Sequence, residues 1–471
     1  MINSVEFRKQ AHILADWMAD YIEGINEFPV KPNKAPGDII AQLPGNPPDH
    51  PEDFQKIFDD FRNIVLPGIT HWQSPSFFAY FPANSSYPSV LAEMLTATLG
   101  VQGMIWETSP AAAELEERMM DWLKQMTGLP AHFHGVIQDT ASTATLTALL
   151  TAREKISDFK INDEGFDHLV YRIYCSSETH SSIEKGAKIA GFGKKNVVKV
   201  RTDKMFRLDA DALKQAIESD LAAGYKPLCV VATIGTTGST AIDPLEKIAK
   251  IASSFNIWLH VDAAFAGTAL LLDEYRWMIK GIEKADSFVF NPHKWMFTNF
   301  DCSAYFVKDK DALINTFSIT PEYLRTQTTG RVNDYRDWGI QLGRRFRALK
   351  LWFVIRNFGV EGLKEKIWHH ISLAQKLEQR IIKSKDFEMV TPRTLNLVCF
   401  RFKPARENDN DALNRINEKL KQKVNATGRM YISHTKLNGI YTLRMVIGQT
   451  NVTEEHVLKA WDVICDCAER L

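Results

Sequence analysis

Short apolar runs alternate with amphipathic stretches from residue 169 onward. The runs fall at 169–175, 196–200, 228–234, 257–261 and 287–290, and they end abruptly in polar or small residues. Runs of this length, bounded by turn residues, predict strands buried on both faces. Between them the spacing predicts helices over 180–191, 209–222 and 243–255. In the last of these, Leu245, Ile248, Ala249 and Ala252 form one apolar stripe. Asp243, Pro244 and Glu246 there predict an N-cap, a first-turn proline and a capping-box acid. This βαβ rhythm predicts a mostly parallel sheet covered on both faces.

Upstream, residues 1–27 read as an amphipathic helix, with Phe7, Leu14, Trp17, Met18 and Tyr21 near helical spacing. A proline-rich stretch from Pro29 to Pro51 follows. A helix leading into such a stretch makes no core of its own, so it has to lie against the main body or a second subunit. Helical patterns resume over 53–66, 88–99 and 111–127, the last introduced by Ser109-Pro110. Segment 71–88 is dense in aromatics (Trp72, Phe77, Phe78, Tyr80, Phe81, Tyr87), which fits either core packing or an aromatic-lined pocket. Gly135-Val136-Ile137-Gln138 ends a strand, and 146–153 continues as a helix. Residues 318–332 are polar and rich in threonine, and are expected to form a mobile functional loop. Residues 343–358 predict a long helix. From about 371 a helix, a strand, a second helix, strand-like pieces and a last helix predict a separate α+β unit. The expected division is therefore 1–85, 86–370 and 371–471.

Composition narrows the function classes. The chain has 471 residues, 45% hydrophobic and 24% charged, an ordinary soluble globular balance. Lys+Arg and Asp+Glu are equal at 57 each, which argues against nucleic acid or an anionic membrane as the main partner. No apolar run is long enough to span a bilayer. Glu6, Asp16 and Asp20 interrupt the N-terminal stretch, so no secretory signal is expected. The six cysteines show no CxxC spacing, as expected of a reduced, cytoplasmic protein. His132, His134, His369 and His370 have no further ligands nearby in sequence, so no metal is expected.

Two of the predicted strands end in chemically capable residues. The run 257–261 is followed by Asp262, and 287–290 by Asn291-Pro292-His293-Lys294. Ligands bind at the carboxyl edge of parallel sheets, so one acid and one amine are placed on a single rim. A desolvated lysine has a lowered pKa and forms an imine with a carbonyl compound. Pyridoxal phosphate needs such an amine, and an acid that keeps its ring nitrogen protonated. His180 offers a flat ring to stack on it. The hydroxyl-rich segment Asp139-Thr140-Ala141-Ser142-Thr143-Ala144-Thr145, at a helix start, offers donors to a phosphate. Each feature alone is commonly structural. Their occurrence together at successive strand ends points to one cofactor site.

Longer motifs carry a specific resemblance. Asn291-Pro292-His293-Lys294-Trp295, followed by Asn299-Phe300-Asp301-Cys302-Ser303-Ala304, resembles the signature of group II pyridoxal-phosphate-dependent amino-acid decarboxylases. The chain is most similar to the aromatic L-amino-acid decarboxylases, through His71-Trp72-Gln73-Ser74-Pro75, Phe77-Phe78-Ala79-Tyr80-Phe81-Pro82, His260-Val261-Asp262-Ala263-Ala264 and Leu342-Gly343-Arg344-Arg345-Phe346-Arg347. The similarity covers nearly the whole chain. It implies an α/β fold: a fold type I pyridoxal-phosphate transferase large domain with a mostly parallel sheet. To this are added an N-terminal helical segment packed on a dimer partner and a small C-terminal α+β domain.

By that resemblance Lys294 forms the imine with pyridoxal 5'-phosphate, Asp262 pairs with the ring nitrogen, and His180 stacks on the ring. Thr140, Ala141, Ser142 and Asn291 hold the phosphate, Thr237 lies near the imine side, and His293 is next to the lysine. The family is a homodimer with its site at the interface. Leu342 and Gly343 match positions that line the site across the dimer, and Tyr323 matches a loop tyrosine that reaches the partner's site. Tyr323 is the expected acid that protonates Cα, with His180 as the alternative. The implied substrate pocket is Trp72, Tyr80, Phe81, Ala83, Gln102, Met104 and Phe265, which suits a flat side chain. Gly343 accompanies acceptance of bulky indoles. The chain departs from the family pattern at Gln102, Met104, Phe265, Asp139 (usually glycine) and Thr143. The implied activity is decarboxylation of an aromatic L-amino acid of the tryptophan, tyrosine, DOPA or 5-hydroxytryptophan class to its amine and CO2. An aromatic aldehyde synthase and a decarboxylase of another amino acid are the alternatives. A non-catalytic dimeric homologue is disfavoured by intact Lys294, Asp262 and His180.

Overall fold

A seven-stranded sheet carries the residues singled out above. Its strands are β1 (His134–Gln138), β2 (Tyr171–Ser176), β3 (Val197–Val200), β4 (Lys226–Thr233), β5 (Trp258–Asp262), β6 (Ser287–Phe290) and β7 (Ser303–Val307), in the order β1-β7-β6-β5-β4-β2-β3. The computed structural model describes residues 2–319 and 331–471. The chain divides into one unit of residues 83–372 with 391–397, which holds this sheet, and another of residues 1–82, 373–390 and 398–471.

Strands β2 to β6 run parallel. β7 is antiparallel to both β6 and β1, so β1 regains the direction of β6. The carboxyl ends of β1 and of β2 to β6 therefore share one edge. Every residue of β5, β6 and β7 is buried, which explains why these strands read as unbroken apolar runs. The predicted strands all form, with ends displaced by a few residues. β7 was not predicted: its short run sits inside a stretch that the sequence marks by motif rather than by period.

Local signals account for most helices. Ser109 caps Pro110–Thr127 by accepting from the Ala112 N–H. Thr140 caps Ala141–Ile156, so the hydroxyl-rich segment is the helix's first turn and the helix begins before the predicted 146. The capping expectation at Asp243 fails. The helix there is Leu245–Ser254 and has no side-chain cap. Asp243 instead accepts hydrogen bonds from the Leu208 and Thr233 N–H groups at 2.7 and 2.8 Å. Glu246 faces outward to Lys250 and Lys280 rather than closing a capping box. Two buried donors from distant segments outcompete the local cap for that carboxylate.

The other unit contains a four-stranded sheet of β8 (Phe387–Met389), β9 (Leu397–Phe402), β10 (Ser433–Leu437) and β11 (Ile440–Val446). Helices Asn410–Ala426 and Glu454–Glu469 contribute Leu420, Val424, Trp461 and Ile464 to a core shared with Phe400 and Leu443. Phe78 joins that core, bonded through its backbone to Tyr431 and Val446. The N-terminal helix Ser4–Glu23 is capped by Asn3, and Trp17 meets Phe58 and Phe61 edge-on.

Candidate active site

Lys294 belongs to the short helix Pro292–Trp295, which starts where β6 ends. Proline at the first helical position fixes the turn that carries the lysine off the strand. The side chain keeps some exposed surface, while burial of its ammonium group lowers its pKa and the Asp262 charge opposes that shift. Asp262 is the last residue of β5, the strand beside β6. It is 5% exposed and accepts from the Ala264 N–H at 3.0 Å. The amine and the acid thus leave adjacent parallel strands at one edge.

His180 follows β2 on the same edge. Its Nδ1 accepts from the Ser182 N–H at 3.1 Å and lies 2.9 Å from Ser182 Oγ. The neutral ring therefore carries its proton on Nε2. Desolvation lowers its pKa; Asp262 raises it and Lys294 lowers it further, so all three groups share one electrostatic environment. His293 is 3% exposed and its Nδ1 accepts from the Cys302 N–H at 2.9 Å. Burial, with Lys294 beside it, pushes its pKa down to about 3, so it is neutral. Its carbonyl accepts from the Asn84 N–H at 3.0 Å, which brings Ala83 close in chain to the lysine segment. Thr237 lies exposed in the turn after β4.

The proposed phosphate residues flank β7. Gln138 at the end of β1 pairs with Ser303 of β7, and Ala304 pairs with Phe290 of β6, so Thr140 and Asn291 leave the same edge on either side of β7. Among the described residues the first-turn N–H groups of Ala141 and Ser142 have no protein acceptor, as is usual where a helix begins. Asn291 is 2% exposed, and its Oδ1 has no hydrogen-bond partner among the described residues. A buried amine of lowered basicity, a buried carboxylate and open helix donors on one edge fit pyridoxal phosphate, and the orphaned Oδ1 of Asn291 is an acceptor open to a donor there.

The expected substrate residues divide between the units. Trp72, Tyr80 and Phe81 fall in the unit built on β8–β11. Trp72 stacks on Tyr80 at 5.9 Å, the Tyr80 hydroxyl is 3.4 Å from that of Tyr431, and Arg444 lies over the Phe81 ring at 5.5 Å. Ala83, Gln102, Met104 and Phe265 fall in the unit of the large sheet. Phe265 is buried and stacks on Trp295 at 4.9 Å. The Gln102 side-chain Oε1 accepts from the Arg344 N–H at 2.6 Å. A Cβ at Gly343 would lie 3.0 Å from Gln102 Nε2, so Gln102 occupies the space beside that glycine. Met104 accepts from the Arg336 N–H at 2.9 Å. Leu342 is half exposed. Tyr323 lies outside the described residues.

Supporting residues escaped the sequence reading. Ser182 fixes the His180 tautomer, and the Trp295 indole donates to His370 Nδ1 at 2.9 Å beside the lysine. Arg344 pairs with buried Glu116 at 2.6 Å and donates to the Ile137 carbonyl at 2.8 Å, while the Ile137 N–H donates to Glu116. Ser182 was within reach of a local argument, two residues from His180. The others are long-range, and spacing carries no signal for them.

Comparison with known proteins follows the same lines. The pyridoxal-dependent decarboxylase conserved domain matches residues 36–403. Phenylacetaldehyde synthase of Arabidopsis thaliana is 45% identical, aligned over 100% of this chain and 97% of that protein. Tyrosine decarboxylase 4 of Petroselinum crispum is 44% identical over 99% of this chain and 94% of its own length. The crystal structure of Oryza sativa TDC with PLP and tryptamine superposes with a TM-score of 0.97 at 35% identity, covering 100% of this chain and 99% of that one.

Proposed function

The chain belongs to the pyridoxal-dependent decarboxylase family, and on that premise we propose that it converts an aromatic L-amino acid to the arylalkylamine and CO2. The observation that carries the site assignment is the pairing of Lys294 and Asp262 on the ends of adjacent parallel strands, with the lysine's pKa lowered by burial. Pyridoxal phosphate, when bound, supplies a ring that takes up the electron pair left on Cα as CO2 departs.

The chain's own residues have distinct parts. Lys294 Nζ, uncharged more readily because it is desolvated, is the amine that would hold the cofactor. The Asp262 carboxylate keeps a proton on the ring nitrogen. Thr140, Ala141, Ser142 and Asn291 bind the phosphate, with Thr237 and His293 flanking the lysine. His180 covers the ring face, oriented by Ser182. Tyr323 delivers the proton to Cα, and His180 Nε2, the protonated ring nitrogen, is the alternative donor. By the family resemblance, Trp72, Tyr80, Phe81, Ala83, Gln102, Met104 and Phe265 are assigned to substrate recognition.

We take the working form to be a homodimer, with Leu342 and Gly343 facing the partner's site and the N-terminal segment packed on the partner. Helix Ser4–Glu23 supports this: Val5 is 74% and Phe7 62% exposed, and Gln10 is its one buried residue among those described. No helix among the described residues is long and apolar enough to cross a membrane. With free cysteines throughout, we assign the chain to the cytoplasm.

The aldehyde-synthase reading is kept because phenylacetaldehyde synthase is among the relatives. It would consume O2 and water and release aldehyde, CO2, ammonia and hydrogen peroxide, and Tyr323 disfavours it. One experiment separates the readings. The purified protein is expected to absorb near ~420 nm and to release stoichiometric amine and CO2 from tyrosine, DOPA, tryptophan or 5-hydroxytryptophan. Lys294→Ala is expected to lose both the band and at least a thousandfold (~10³) of the rate. Full activity in that variant would refute the assignment, and peroxide with ammonia in place of amine would select the aldehyde synthase.

A further inference from the structure

Asp139 stands at the carboxyl end of β1, immediately before the residue that caps Ala141–Ile156. Its Oδ1 accepts the Thr140 N–H at 2.5 Å and lies 3.4 Å from Thr140 Oγ1. Its Oδ2 accepts from Gln341 Nε2 at 3.1 Å, and its carbonyl accepts from Ser303 Oγ at 3.3 Å. None of these partners is a cation. Arg347, whose charge senses Asp139, is engaged by Asp301 at 2.8 and 3.3 Å. A carboxylate whose direct hydrogen-bond partners among the described residues are all neutral therefore sits on the rim of the donor set assigned to the phosphate, and occupies one backbone donor of that rim.

We infer that Asp139 holds down the affinity for the phosphorylated cofactor, so that the loaded fraction of this protein follows the free cofactor concentration. The inference rests on the cofactor reading above. A phosphate monoester carries roughly −1.5 to −2 charges at neutral pH. A carboxylate beside it repels it, and this repulsion is strong where water is partly excluded. The Thr140 N–H, turned toward Asp139, is withdrawn from the anion. Asn291 and the open N–H groups of Ala141 and Ser142 still favour binding, so the outcome is weakened retention rather than exclusion.

The test is a binding titration. Apoprotein is titrated with pyridoxal phosphate and, separately, with pyridoxal, following the imine band. Asp139→Asn removes the charge and keeps an acceptor for the Thr140 N–H. It is expected to lower the pyridoxal phosphate dissociation constant about tenfold or more, to slow cofactor loss on dilution by a similar factor, and to leave pyridoxal binding unchanged. Asp139→Ser gives the same comparison should the first variant fold poorly. An unchanged or raised dissociation constant in both variants would overturn the inference, as would equal tightening toward pyridoxal. If the unmodified chain forms no imine band with pyridoxal phosphate, the cofactor reading fails and this inference fails with it. A band that forms normally, with no difference between variants, defeats the inference alone.

Discussion

His260 lies on the same face of β5 as Asp262, two residues back along the strand. It is fully buried, and its Nδ1 is 2.9 Å from Ser287 Oγ, which also accepts from the Trp258 indole at 3.0 Å. Burial pushes its pKa down to about 4, with the Asp262 charge opposing. The folded pKa is below the unfolded one, so the folded chain binds fewer protons between the two values. The stability tied to neutral His260 is present above about pH 6.5 and is lost as pH falls toward 4, up to about 3 kcal/mol. His260→Gln is expected to melt at a lower temperature near neutrality, through the weakened Ser287 contact. Its Tm should then fall less than the parent's between about pH 7 and pH 4.5. Parallel Tm profiles would show that His260 does not titrate in this way. At this scale the sequence placed Asp262 and Lys294 at the ends of two strands, and the structure puts them there. The sequence misled at Asp243, where a favourable local cap gave way to Leu208 and Thr233, donors no local pattern reveals.

Elements were legible in proportion to how local their causes are. The strands β2 to β6 followed from apolar runs, and the predicted stop at 358 matches the non-helical Gly359 (φ 65°) that interrupts Arg347–Lys383. Segment 341–346 was expected partly as helix but is irregular, because long-range partners hold it. Glu116 and Arg344 are 4% and 8% exposed, and they bind this segment to helix Pro110–Thr127 and to the end of β1. The clamp thereby supports Gln341 and Gly343 on one side and the strand leading to Asp139 and Thr140 on the other. Glu116→Ala leaves a buried guanidinium unpaired and the Ile137 N–H without its acceptor, and is expected to cost about 3–5 kcal/mol. Calorimetry should show a lower Tm for this variant, and a smaller loss for Glu116→Ala with Arg344→Met, since the second change removes the stranded charge. Equal melting of both variants and the parent would mean that the pair is energetically idle.

At the scale of the whole molecule, helix Tyr87–Leu99 poses a packing problem that one chain does not solve. Its inward face buries Pro88, Ser89, Ala92 and Thr96. Its other face exposes Tyr87 at 54%, Leu91 at 55%, Leu95 at 46% and Leu99 at 59%, spaced four residues apart along one stripe. Apolar stripes of this kind mark interaction surfaces, and burying one such leucine contributes about 1.5–3 kcal/mol. The balanced charge of 57 against 57 gives no electrostatic reason for the stripe to meet a nucleic acid or an anionic membrane, and the family reading supplies a second copy of the chain. Sequence periodicity identified this helix, but not which of its faces lacks a cover; that depends on what the sheet unit already buries. Leu91→Asp with Leu95→Asp should leave the isolated fold intact, because both side chains are already in solvent there. In sedimentation equilibrium the parent is expected at twice the chain mass of 53.6 kDa and the double variant near the single mass. If the catalytic site needs the partner, decarboxylation falls with the dimer and returns as protein concentration is raised. A double variant that stays dimeric would move the interface elsewhere, and a monomeric parent with full activity would remove the dimer from the mechanism.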